Sequence, residues 1–160
     1  GHITRFLYDA VIHIPLLVLA PGQTTRVDVT APTTSLDLLP TLLHLAGKPV
    51  PEGLEGRVLP ELGGTADLKR SIFMVEAKEN SSFGPLVQGT ISLIQGPYKL
   101  IHYTGYPKKP EAFELYNLQV DPEEMKDLFE AETSTASLMK QELLDSLADA
   151  NRPYLKNQSK

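Results

Sequence analysis

The clearest periodicity in this chain lies in Ser35 to Gly47, SLDLLPTLLHLAG. At 3.6 residues per turn, Leu36, Leu38, Leu39, Leu42, Leu43, Leu45 and Ala46 cover about half of a helix surface. Asp37, Thr41 and His44 fall together on a narrow polar stripe. Ser35 is the expected N-cap. Gly47 suits a left-handed closing position, and Pro49 stops continuation. Pro40 removes a backbone donor and crowds the carbonyl four residues back. The pattern therefore predicts either a kink or a tight first turn with the regular helix starting near Pro40.

Ahead of this helix, Leu16 to Ala20 is a continuous apolar run closed by Pro21-Gly22. Its length and its ending predict a strand buried on both faces. Thr4 to Val11 is expected to form a short helical turn that brings Phe6, Leu7 and Tyr8 to the core. The alternation from Gln23 to Thr30 predicts a half-exposed strand. A buried strand followed by an apolar helix defines an α/β arrangement that needs covering layers.

Residues 48–68 are punctuated by Pro49, Pro51, Gly53, Gly56, Pro60, Gly63 and Gly64, which marks a connector. Beyond it the pattern changes to strands at 70–77, 90–94, 98–103 and 112–117. The second and third are joined across Gln95-Gly96-Pro97 as a hairpin. In the third, Tyr98, Leu100 and His102 share one face, and Lys99, Ile101 and Tyr103 the other. Asp121-Pro122 with Glu124 reads as a helix start with a capping-box spacing. A final helix is expected from 134–137 to about 151, with Leu138, Leu143, Leu147 and Ala150 inward and Pro153 ending it. The second half is thus α+β, a small antiparallel sheet with a C-terminal helix. The expected domains are 1–64 and 65–160.

Hydrophobic residues make up 41% of the 160, enough for a core, and the formal charge of −5 with no basic run argues against nucleic acid. Lys108-Lys109 reads as a solvated loop. No apolar stretch is long enough to span a membrane. The absence of cysteine excludes disulfides and thiolate chemistry within this chain. The ordinary role of a folded histidine, a hydrogen-bonded polar residue, is the reading for His13, His44 and His102. No His-Glu-x-x-His, Gly-x-Ser-x-Gly or phosphate-binding loop is present. Glu123-Glu124 is explained by capping, and Glu130 and Glu132 by solvation.

The order of segments carries further information. Gly-His-x-Thr at 1–4, LYDAVIHIPLLVLAPG at 7–22, TSLDLLPTLLHLAGKPVP at 34–51, GRVLPEL at 56–62 and FELYNLQVDPEEMKDL at 113–128 follow one another. This series resembles the C-terminal portion of the sulfatases, in the alkaline-phosphatase-like superfamily, over residues 1–130. The resemblance implies that 1–64 ends a sulfatase-like catalytic α/β domain and 65–160 forms the small C-terminal subdomain. It implies sulfate-ester hydrolysis by a formylglycine hydrate, assisted by a divalent cation, usually Ca²⁺. In the family the nucleophile motif and the metal ligands lie ahead of the segment that opens here. Both are expected outside this chain, which is read as a fragment inactive alone. His2 matches the position of a lysine or histidine that contacts the sulfate and protonates the leaving oxygen. With an ordinary imidazole pKa of about 6.5, it has the right chemistry for that role. Asp9 stands where Glu is usual, and Arg5-Phe6 replaces a Pro-Leu type pair. Two other readings remain: a sulfatase-derived assembly or binding module, homodimeric through its uncovered surfaces, and a phosphoester or phosphonate hydrolase of the same superfamily.

Overall fold

The computed structural model describes residues 5–78, 80, 83–108 and 110–155. They form two compact units, one joining the chain up to Ile14 with the chain from Phe73 onward, the other spanning Pro15–Ile72. The first unit is built on a four-stranded sheet in the order β1-β2-β3-β4, comprising β1 (Ile72–Glu76), β2 (Gly89–Gln95), β3 (Tyr98–Thr104) and β4 (Ala112–Asn117). The β2–β3 pairing runs antiparallel from Gly89↔Thr104 to Gln95↔Tyr98. The β3–β4 pairing, also antiparallel, runs from Tyr98↔Asn117 to Tyr103↔Ala112. Gly96 turns the hairpin at φ +57°. The following Pro97 cannot supply a second positive φ, so the two-residue loop takes the form with glycine first.

This register sorts the sheet into two chemically different faces. Ile91, Leu93, Leu100 and Leu115 lie on one, packed against Ala136, Met139 and Leu143 of the long C-terminal helix, Thr133–Leu155. The other face carries Thr90, Ser92, Lys99, Ile101, Glu114 and Tyr116. It is covered, in part, by the segment that starts at Arg5 and includes α1 (Asp9–Ile12). The C-terminal helix, α3 in chain order, departs from expectation in two ways. Its buried line is Ala136, Met139 and Leu143, while Leu138 is 73% exposed. Leu138 sits about 140° around the helix from Leu143, too far to share its face. Pro153 does not end the helix, which continues to Leu155. In the last turn a missing amide costs a single hydrogen bond rather than a break. Asn151 holds this end to the strand lead, accepting from Leu86 N–H at 2.7 Å and donating to Leu86 O at 3.0 Å.

The helix expected after Asp121 does not form. Asp121 closes a turn instead, its carboxylate accepting from Met125 N–H at 3.1 Å and Lys126 N–H at 2.8 Å. Propagation stops because Glu124 adopts a left-handed conformation, φ +56°, that turns its side chain into the sheet.

In the second unit, a single 3₁₀ turn over Ser35–Asp37 feeds α2 (Leu38–Leu45), so Pro40 falls in the first turn of the α-helix, where it is tolerated. The cap is Thr34, not Ser35. Thr34 accepts from Leu36 N–H, and Asp37 accepts from Thr34 N–H at 2.9 Å, a reciprocal capping box. Gly47 closes the helix at φ +63°, with Gly47 N–H on His44 O and Lys48 N–H on Leu43 O. The inward face is the reverse of that expected. Asp37 and Thr41 are buried, while Leu36, Leu38, Leu39, Leu42 and Leu45 are 41–64% exposed. The reason is local: the chain packed on α2 presents backbone amides, which polar side chains satisfy. Leu59 N–H donates to Thr41 Oγ1 at 2.8 Å and Arg57 N–H to Asp37 Oδ1 at 2.8 Å. The buried strand expected at Leu16 to Ala20 is likewise absent. That run makes no ladder among the described residues, and Leu16 to Leu19 are 43–96% exposed. The strand expected at 23–30 is also absent, with Val27 and Val29 exposed.

Candidate functional site

His2 lies outside the described residues, as does Lys109. The structure describes what holds the segment beginning three residues after it, on the polar face of the sheet. Leu7 is buried there. Phe6 stacks on Tyr8 with centroids 5.7 Å apart and meets the edge of Tyr103 at 6.4 Å. The Arg5 guanidinium lies 5.1 Å from the Phe6 ring centre and 6.0 Å from that of Tyr106. Tyr106 shares a hydrogen bond of 2.8 Å with Thr90 Oγ1 and donates to Glu76 at 3.2 Å.

Two carboxylates organise this face, Glu114 half-buried and Glu124 buried. Glu114 receives three phenols on one oxygen, from Tyr8 at 3.2 Å, Tyr103 at 3.0 Å and Tyr116 at 3.1 Å. Burial, together with Tyr8 and the Glu114 charge, drives the Tyr103 and Tyr116 hydroxyls far above the ordinary phenol range. They are therefore donors at every working pH. The second carboxylate, Glu124, pairs with Lys99 Nζ at 2.7 Å through Oε1, both side chains almost fully enclosed. Its Oε2 accepts from Asp9 N–H. Burial holds the Lys99 ammonium below the ordinary lysine range, and Glu124 opposes that shift.

The other singled-out residues do not converge on this face. His102 is buried on the opposite side of the sheet, stacked on Phe113 at 4.2 Å, with Nε2 2.6 Å from Glu111 Oε1. His13 is exposed and pairs with Asp9 at 3.0 Å, and His44 is exposed on α2. Glu132 is not merely solvated, since it accepts from Tyr98 OH at 2.6 Å. Among the described residues no group of three or more His, Asp or Glu is placed to hold a metal ion. The enclosed carboxylates Asp37 and Glu124 are each committed to a cation, Arg70 and Lys99, so they do not fit the divalent-cation site that the family implies. The sequence pattern did place Lys99 and Tyr103 on one face. It held no signal for the register that sets Glu114 and Tyr116 beside them, nor for the inward turn of Glu124.

The architecture is that of a small α+β domain with one helix-covered sheet face and one polar face. Residues 2–152 match the sequence profile of the family described as N-sulphoglucosamine sulphohydrolase, C-terminal. The chain belongs to that family of sulfatase C-terminal domains. Among curated relatives it is 29% identical to Arylsulfatase K of Canis lupus familiaris over 134 residues, 76% of this chain and 23% of that protein. It is 35% identical to the Delta 4,5-hexuronate-2-O-sulfatase of Bacteroides thetaiotaomicron over 126 residues, 76% of this chain and 25% of that one. The crystal structure of yidJ from Bacteroides fragilis shares the fold, with a TM-score of 0.57 at 22% identity over 75% of this chain and 26% of that chain. The chain thus spans about a quarter of the length of these relatives.

Proposed function

We propose that the whole protein containing this chain hydrolyses sulfate esters, and that this chain contributes the end of the catalytic α/β domain (1–64) and the small C-terminal subdomain (65–160). The observation that carries the reading is the family match across 2–152, which begins at His2. The uncovered apolar surface of the Pro15–Ile72 unit supports it. Leucines 41–64% exposed on α2 and the bare run at Leu16 to Leu19 suit elements that need the rest of an α/β body, and the chain alone is expected to be inactive.

Formylglycine and a divalent cation, when present, supply the nucleophile and the charge neutralisation at sulfur; both are assigned upstream of this chain. The residue this chain supplies is His2. As imidazolium it contacts a sulfate oxygen and gives its proton to the departing ester oxygen. The polar sheet face holds the segment that follows it.

The test is turnover by the full-length protein on sulfate esters graded by leaving group. His2→Ala should lower kcat by about 10²–10⁴ for alkyl or sugar sulfates, whose alkoxide must be protonated. The loss should be far smaller for nitrophenyl sulfate, whose phenolate leaves unaided. Equal losses on both remove the general-acid role. Preference for phosphate esters in the unsubstituted protein would overturn the sulfatase reading itself, and turnover by this chain alone would overturn the assignment of the nucleophile upstream.

A further inference from the structure

Glu124 is held in a conformation that its own backbone disfavours. A left-handed non-glycine residue is strained and persists where its surroundings determine it. Here the surroundings are two contacts. One oxygen meets the Lys99 ammonium, which has no exposed surface, and the other accepts the Asp9 amide. A buried ion pair is poor evidence of stabilisation, because apolar residues of the same volume serve the core equally well. What this pair adds is direction: it fixes an acceptor under the first amide of α1. That amide belongs to the segment Arg5 to Ile12, whose neighbouring anchors are Leu7 and the Tyr8 phenol on Glu114. Arg5, at the start of that segment, follows His2 by three residues in the chain.

We propose that Glu124, oriented by Lys99, is a positioning residue for the reaction: it ties the Asp9 amide to the sheet and thereby sets the approach of the His2 segment to the ester. This rests on the reading of His2 given above. Neither Glu124 nor Lys99 touches substrate in this scheme. Their effect passes through the Asp9 amide.

Two double variants of the full-length protein separate this from a structural role. K99M/E124L and K99M/E124Q both remove the ion pair, and only the second keeps an oxygen for Asp9 N–H. K99M/E124L should lose about 10²-fold in kcat, the scale of a misplaced catalytic group, with KM within about threefold. K99M/E124Q should recover at least about tenfold of that loss, whatever the order of the two melting temperatures. Hydrogen exchange at the Asp9 amide, read in the same variants, requires no turnover. Protection should survive in K99M/E124Q and vanish in K99M/E124L. Equal kcat in the two variants, or activity that simply follows melting temperature, overturns the proposal. Should the exchange pattern hold while His2→Ala leaves turnover unchanged on every ester, the tether stands as structure, His2 loses its role, and the positioning claim falls with it.

Discussion

Asp37 is the residue on which the Pro15–Ile72 unit can be tested most sharply. It is 1% exposed, and both of its oxygens are doubly engaged. Oδ2 receives Thr34 N–H at 2.9 Å and Arg70 Nη1 at 2.7 Å. Oδ1 receives Arg57 N–H at 2.8 Å and Arg70 Nη2 at 2.9 Å. Asp37→Asn is nearly isosteric, yet whichever side the new NH₂ takes, it must face two donors. Burial by itself would raise the Asp37 pKa. The Arg70 guanidinium and the Arg57 and Thr34 amides outweigh it and hold the carboxyl below 3.8. The charge is therefore kept in the fold, and removing it leaves Arg70 uncompensated. Breaking a buried pair at one partner costs about 3–5 kcal/mol. For a chain of this size that corresponds to a fall in Tm of about 6–20 °C. Thermal unfolding followed by circular dichroism at neutral pH reads it. Arg70→Met should produce a loss of similar size, and the double variant D37N/R70M should lose much less than the sum, because the pair fails as a unit. A change below about 1 kcal/mol for D37N, or strict additivity, would show that the bidentate pair is solvated and the argument mistaken.

The linkage to pH has a definite sign at two sites. Burial lowers the His102 pKa below its ordinary 6.5, against the opposing pull of Glu111 and with the help of Lys140. The fold then favours the neutral ring, so its contribution is intact above about 6.5 and declines as pH falls through that value. His102→Gln should flatten this limb of a stability–pH curve measured by urea unfolding. The lowered Asp37 pKa acts in a separate window, its contribution being present above 3.8 and lost below it. Gly56→Ala addresses packing instead. A Cβ there would stand 2.0 Å from Leu36 O, in a backbone contact that cannot yield without moving Arg57 off Asp37. A loss of about 1–3 kcal/mol is expected in the same unfolding assay, and a neutral result would mean that the approach at Leu36 is looser than described.

Local chemistry was legible wherever neighbours in sequence decide the outcome. The Gly96-Pro97 turn between alternating strands, the Schellman-type ending at Gly47 and the interruption of 48–68 follow from backbone sterics of a few residues, and the structure has them. The Asp121 carboxylate takes two downstream amides, Met125 and Lys126, but as a turn rather than as the N-cap of a helix. The helix it announces was not there because Glu124 is drawn to Lys99, a partner that only strand pairing brings close. Periodicity failed differently at α2. It states which residues share a face, and it groups Asp37 with Thr41 correctly. It does not state which face its own unit covers, and here amides of Arg57 and Leu59 claim the polar one.

The same distinction governs the site. His2 was singled out by a motif, which is a property of sequence, whereas the residues that hold its segment are a property of register. Lys99 and Tyr116 stand opposite each other on β3 and β4, as do Ile101 and Glu114. A shift of one residue in that pairing would turn Glu114 and Tyr116 toward α3 and place charge in the apolar layer. The carboxylate–phenol cluster is compatible with only one register of the sheet, and that register also sets Leu115 beside Leu100 under α3. The apolar core on one face therefore enforces the polar anchor on the other. Substitutions in the leucine layer should in consequence disturb the Arg5–Ile12 segment although they touch none of its residues.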